Sequence, residues 1–182
     1  GAQEMKDCSG INRFLRENAA FSSFELNASK SRCILSLPSS FLFHSGGAKI
    51  SPEVATQLSD FLNQIRNRYE LEGDAIRVDG HTDDLPLGKK GRFKNNWELS
   101  TMRATNVAIL MMENVGFNPE RIAISGYADT RPKSPYIDKK GERKSGNELR
   151  EARKANRRVE LIFTRPLKKE RTRKFFPDPR AG

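Results

Sequence analysis

The stretch Ser51-Pro52-Glu53-Val54-Ala55-Thr56-Gln57-Leu58-Ser59-Asp60-Phe61-Leu62-Asn63-Gln64-Ile65, followed by Ala75-Ile76-Arg77-Val78-Asp79-Gly80, decides the class of fold. Ser51 carries a side chain suited to a helix N-cap, and Pro52 suits the first helical position, where no backbone N–H is needed. Val54, Leu58, Phe61, Leu62, Ile65 and Tyr69 then recur at helical spacing on one face. Gly73 lies just past the predicted end. Ile76 and Val78 alternate with polar neighbours, as in a strand with one buried side. A one-faced helix feeding a buried strand is the unit of a layered α/β fold.

The same unit repeats downstream. Asn95, with Glu98 three residues on, resembles a capping box and predicts a helix from Asn96 to Val115. Its apolar face is Ala104, Val107, Ala108, Met111 and Val115, and Gly116 supplies the stop. Strands are expected at Arg121–Gly126 and at Arg158–Thr164, where Val159, Leu161 and Phe163 share a side, with a short helix at Glu148–Lys154 before the second. Upstream, Cys33, Leu35 and Leu37 alternate in a strand over Arg32–Leu37 that Pro38 ends, and Phe41–Phe43 reads as a second short extended piece. Ile11, Phe14, Leu15 and Ala19 follow helical spacing, either as a short helix packed on the domain or as the end of a linker. The order strand, helix, strand, helix, strand, short helix, strand predicts an α/β (α+β) two-layer sandwich. In it, a small mixed four-stranded sheet carries helices on one face, in a βαβαβ-type order. Residues 1–31 read as an N-terminal arm or linker, 32–165 as the folded domain, and 166–182 as a basic, disordered tail whose large apolar residues are Phe175 and Phe176.

Lysine and arginine number 33 against 23 acidic residues, a formal charge of +10 that favours polyanionic partners. The run Arg165–Lys174 holds six basic residues and one acidic one, the pattern of a solvated tail. No stretch approaches the ~18 apolar residues of a spanning helix. No signal peptide is visible, and Gly1-Ala2-Gln3 reads as a cut end or tag scar, so any membrane anchor or export signal has been cut away or never existed. Cys8 and Cys33 could pair in an oxidising compartment, but Cys33 reads as a buried free thiol on a strand.

The richest polar stretch is Asp79-Gly80-His81-Thr82-Asp83-Asp84, at the carboxyl end of a strand, where α/β sheets tend to place ligands. The following helix starts on that side and presents Asn96, Trp97, Ser100 and Arg103. Asp83 can receive an ammonium group, and Arg103 can clamp a carboxylate through two parallel hydrogen bonds. The helix N-terminus adds a field favourable to an anion. Together they suit the α-amino and α-carboxylate groups of an amino acid. An Asp and an Arg flanking a helix start can equally pair with each other, and spacing alone leaves both readings open. His81 in a Gly-His turn reads as an organiser of the loop.

Three blocks carry a resemblance: Gly80-His81-Thr82-Asp83, Asn96-Trp97-Glu98-Leu99-Ser100-Thr101-Met102-Arg103-Ala104 and Asn156-Arg157-Arg158-Val159-Glu160. They resemble the signature blocks of the OmpA C-terminal, or OmpA/MotB-like, peptidoglycan-binding family. Leu42-Phe43 to Ala48 with Ser51-Pro52, and Gly126-Tyr127 with Pro132, are similar to its other junctions. The resemblance covers roughly Ile34 to Phe163. It implies non-covalent binding of the peptidoglycan stem peptide at its diaminopimelate residue. Asp83 and Arg103 would hold the zwitterionic end. Thr82, Asn96 and Leu99 would line the pocket, and Arg158 would support it from the adjoining strand. The Asp83-Asp84-Leu85-Pro86 run and the long loop to Trp97 resemble MotB-like stator proteins most. That implies a periplasmic domain of a membrane-anchored protein, a homodimer, and a MotA-like channel subunit reached through an upstream segment. The insertion Thr130–Gly146 and the basic tail depart from the common pattern. They keep an OmpA/Pal-type envelope tether and a non-flagellar MotB-like motor, such as a Zorya-type phage-defence complex, as alternatives.

Catalysis and cofactors have little support. His44 and His81 are the chain's two histidines, and no Cys or His spacing suits zinc. No GxSxG turn, phosphate-binding loop or GxGxxG is present. No metal and no cofactor is expected, and the chain is not expected to be an enzyme. Nucleic-acid binding would use the positive charge, but no helix-turn-helix, zinc finger or aromatic RNA-binding block accompanies it.

Overall fold

The computed structural model describes residues 8–29, 31–69 and 74–165. Gly73, the Tyr69 side chain and the tail beyond Arg165, with most of its basic run, lie outside the described residues. In chain order the elements are α1 (Ser9–Glu17), β1 (Glu25–Ser29), β2 (Arg32–Pro38), α2 (Ser39–Leu42), α3 (Pro52–Tyr69), β3 (Ala75–His81), α4 (Asn96–Leu110), β4 (Ile122–Gly126), α5 (Gly146–Asn156) and β5 (Arg158–Thr164).

The sheet has five strands, not four, in the order β1-β2-β5-β3-β4. All neighbours are antiparallel except β3 and β4. The unexpected strand is β1, from the segment expected to be an arm. It pairs along its whole length with β2, and its side chains are largely exposed. An edge strand of this kind has almost no apolar alternation to betray it. The segment also contributes to the core, since Ile11, Phe14, Leu15, Phe21 and Phe24 are buried there. Phe24 meets Phe61 of α3 edge to face, with ring centroids 5.4 Å apart.

Two further expectations are corrected. Cys33 is not a free thiol but is bridged to Cys8, with their Cα atoms 6.1 Å apart. Residues 41–43 are not one extended piece: Phe41 and Leu42 belong to α2, only Phe43 at its C-cap is extended, and at the start of the helix Ser39 donates its N–H to the carbonyl of Arg157 at 2.9 Å.

The central elements follow their side chains. Ser51 Oγ accepts the N–H of Val54 at 3.3 Å and caps α3. Leu58, Phe61, Leu62 and Ile65 are fully buried against the sheet. Val78, Leu161 and Leu35 form a buried row across β3, β5 and β2. Asn95 Oδ1 accepts the N–H of Glu98 at 3.0 Å, and Glu98 Oε1 reaches back to the N–H of Lys94 at 3.2 Å. After Leu110 the helix widens into one π turn, Met111–Val115, closed by Gly116 at φ +91°.

Two glycines set how closely α4 lies on the sheet. A Cβ on Gly80 would overlap the carbonyl oxygen of Ser100, and one on Gly126 would sit 2.7 Å from the backbone nitrogen of Thr101. Here the glycines permit backbone-to-backbone contact. The start of α4 is thereby held against the carboxyl ends of β3 and β4, which creates the site.

Candidate functional site: a mixed-charge pocket at the end of β3

Past β3 the chain crosses to β4 before turning away. Thr82 donates its N–H to Ala128 O at 2.9 Å, and Tyr127 donates to Gly80 O at 3.0 Å. Ser100, fully buried, accepts the N–H of Ala128 at 3.0 Å. This lattice fixes residues 80–83 beneath α4. A cavity of about 700 Å³ opens there, and Thr82, Asp83, Leu99 and Arg103 all line it.

Arg103 is 4% exposed. Its Nε donates to Gly47 O at 2.7 Å, its Nη2 to His44 O at 3.4 Å, and its guanidinium lies 4.9 Å from the centre of the Phe43 ring. The loop after α2 therefore holds one edge of the guanidinium by two carbonyls and its face by an aromatic ring. Burial first, then the neighbouring Arg157, lower its pKa to about 10 against the opposing charge of Asp83. It stays cationic at neutral pH.

Asp83 does not pair with Arg103. Its Oδ1 accepts the N–H of Leu85 at 3.0 Å, and its Oδ2 accepts from Arg157 Nη1 at 2.6 Å. Arg157 is the residue that sequence reasoning missed. It sits in extended backbone between α5 and β5 and lines the same cavity, with its side chain 39% exposed. The block Asn156-Arg157-Arg158 contained it, but strand parity gave no means of choosing between adjacent arginines.

The structure does not bring Asn96 or Arg158 to the pocket wall. Asn96 Nδ2 donates to Leu85 O at 2.9 Å, which holds the wall loop carrying Leu85 and Pro86. Arg158 is buried inside the sheet. Its Nε donates to Glu160 Oε1 at 2.7 Å, Nη1 to Asn156 O at 3.1 Å and Nη2 to Arg131 O at 3.0 Å.

The two other carboxylates of this stretch, Asp79 and Asp84, also have arginine partners. Asp79 accepts twice from Arg77 Nε at 2.9 Å, and burial raises its pKa despite that partner. Asp84 pairs with Arg153 at 2.8 Å and with Arg143. Desolvation pushes the Asp84 carboxyl up, but hydrogen bonds from those two arginines outweigh it and hold its pKa below the usual range. His81 stacks on Tyr127 at 5.3 Å, and its pKa falls to about 3 through burial, then through Arg158, Arg131 and Arg77. It ends β3 rather than bonding the turn, its Nδ1 is buried without a hydrogen-bond partner, and it does not line the cavity.

The arrangement is two guanidiniums and one carboxylate facing one opening, beside apolar Leu99 and Phe43. It can clamp a carboxylate between Arg103 and Arg157, and it can receive an ammonium group on Asp83. These features define a class: an α/β sandwich domain with a mixed-charge pocket outside the carboxyl end of a sheet strand.

The chain belongs to the OmpA family, whose sequence pattern matches residues 42–146. It is 29% identical over 160 residues to Motility protein B of Bacillus subtilis, and 28% identical over 162 residues to the uncharacterized protein YtxE of the same organism. These alignments cover 85% and 89% of the chain, and the chain spans 54% and 59% of those relatives' lengths. Among solved structures it is similar to a MotB-like protein from Desulfovibrio vulgaris, at 25% identity with a TM-score of 0.71, covering 87% of this chain and 91% of that one. It is also similar to the periplasmic domain of Helicobacter pylori MotB, at 28% identity and TM-score 0.64, covering 81% of this chain and 85% of that one. The cell wall anchor of the type VI secretion system from Pseudomonas aeruginosa shares the fold at 24% identity and TM-score 0.66, covering 90% of this chain and all of that one.

Proposed function

We propose that this domain grips peptidoglycan non-covalently by seating the zwitterionic end of a stem-peptide diaminopimelate in the pocket of Asp83, Arg103 and Arg157. In this way it anchors a membrane protein complex of the MotB-like stator kind to the cell wall. The observation that carries the reading is that Asp83 and Arg103, twenty residues apart in sequence, line one open cavity with the Arg103 guanidinium already oriented by Gly47 and His44. The ligand carboxylate bridges Arg103 and Arg157, and its ammonium group takes the face of Asp83 that Arg157 holds when the pocket is empty.

No bond is made or broken, and the domain is a receptor rather than an enzyme. The Cys8–Cys33 bridge supports a location outside the reducing cytoplasm. No described helix is long and apolar enough to cross a membrane. In this reading an anchor and the contact with a MotA-like partner belong to a part of the protein outside this chain, which spans 54% of the length of Motility protein B. Two copies held together gain retention through effective concentration, which favours a homodimer.

The test is retention on purified sacculi in about 0.5 M salt, where phosphate-type attraction is strongly screened. The unaltered domain stays bound and is released by free diaminopimelate, and Arg103→Ala is not retained while still melting cooperatively. Release by salt alone, with no effect of diaminopimelate, would overturn the proposal in favour of a polyanion-binding role for the +10 charge.

A further inference from the structure

Asp83 and Asp84 are neighbours, yet they serve different partners. Asp83 lines the cavity and pairs with Arg157, whereas Asp84 is outside the lining and pairs with Arg153 and Arg143. Arg153 stands four residues before Arg157 at the end of α5, and Arg157 closes that helix by donating its N–H to Arg153 O at 3.1 Å. The two guanidiniums therefore come from the last turn of α5 and from the extended residue that follows it, towards adjacent carboxylates. The charge of Asp83 is felt at Arg153 as well as that of Asp84. Without Asp84, the carboxylate next along the chain is Asp83, the pocket's own.

The insertion 130–146 secures this arrangement. Its base is tied to α5 by Asn156, fully buried, whose Oδ1 accepts the N–H of Ser134 at 2.7 Å and whose Nδ2 donates to Ser134 O at 2.9 Å. Its return strand carries Arg143, which lies over the Tyr136 ring at 5.5 Å and takes the second oxygen of Asp84.

We infer that Asp84 is a specificity-determining positioning residue: by holding Arg153 it keeps a second guanidinium off Asp83, so a ligand ammonium group has one arginine to displace rather than two. The inference rests on the zwitterion reading of the pocket. It makes the pocket selective for ligands carrying both charges, because a ligand with carboxylates alone never competes for Asp83.

The experiment measures binding of meso-diaminopimelate and of its di-N-acetyl derivative to the full 182-residue chain by titration calorimetry. Asp84→Asn weakens diaminopimelate about fivefold, the scale of one partly exposed ion pair, and leaves the acetylated ligand unchanged within about twofold. The double variant Asp84→Asn/Arg153→Met regains the lost affinity, since the competing guanidinium is gone. Arg153→Met alone binds diaminopimelate within about twofold of the unaltered chain, an arm that holds even if Asp84→Asn fails to fold. Equal weakening of both ligands, no recovery in the double variant, or a loss in Arg153→Met alone would overturn this inference and leave the pocket assignment standing. No binding of diaminopimelate by the unaltered chain overturns both.

Discussion

Arg103 and Arg158 are two arginines buried to the same degree, 4% and 5% exposed, and each donates to backbone carbonyls. They serve opposite ends. Around Arg158 every guanidinium nitrogen has an acceptor, and the group joins Asn156, Glu160 and the segment at Arg131 into one piece. Around Arg103, Nε and Nη2 are held and the group opens on a cavity of about 700 Å³. Burial of a charge therefore does not by itself mark a candidate binding residue. What distinguishes the two is a donor that the fold orients without using it.

This contrast can be broken or sharpened by experiment. Arg158→Met should cost the most stability, about 3–5 kcal/mol, because Glu160 and two carbonyls lose their partner inside the sheet. Denaturant unfolding measures it, and a loss below about 1 kcal/mol would erase the distinction. Arg103→Met should destabilise less, since His44 is exposed and its carbonyl can take water. It should instead weaken sacculus binding by about 1.5–3 kcal/mol, the scale of hydrogen bonds to a charged group.

The next effect is in pH. His81 lies opposite Arg158 in the sheet register, and its pKa falls from 6.5 to about 3 on folding. Between those values the unfolded chain holds a proton that the folded chain does not. Stability should thus fall as the medium is acidified from 6.5 towards 3, by at most about 1.4 kcal/mol per pH unit. His81→Gln should flatten the slope in melts taken across that window. The smallest effect is expected for Asn96→Ala. It removes one neutral hydrogen bond to the Leu85 carbonyl, worth about 0.5–1.5 kcal/mol, and should appear as weaker binding with little change in melting temperature.

The elements that bury one face were legible in the sequence. The α3 helix, the β3 and β5 strands and the body of α4 stand where apolar periodicity and capping residues put them, and β4 stands at its expected place although Ile124 is exposed. The pocket was legible in part, because Asp83 and Arg103 follow from the rule that ligands gather beyond the carboxyl ends of strands. What stayed hidden depends on distance rather than pattern. The β1 strand is an edge held by backbone bonds, with Leu26 as its only large apolar residue. The Cys8–Cys33 bridge joins residues 25 apart whose approach is set by the fold. Arg157 precedes its strand, so alternation does not extend to it. The pairing of Asp83 with Arg157 rather than Arg103 depends on where α5 ends, which no local signal encodes.

The bridge has a mechanical consequence. Tension on the chain ahead of Cys8 passes through sulfur to Cys33, at the far end of β2 from the pocket, and so bypasses α1 and β1. From Cys33 it runs along β2 to Pro38, which lies opposite Arg158, one residue from the pocket arginine. The seven paired positions of β2 and β5 are thus pulled lengthwise, and they share the load instead of unzipping one at a time. Under the function proposed above, load would thus reach the pocket end of the sheet in shear.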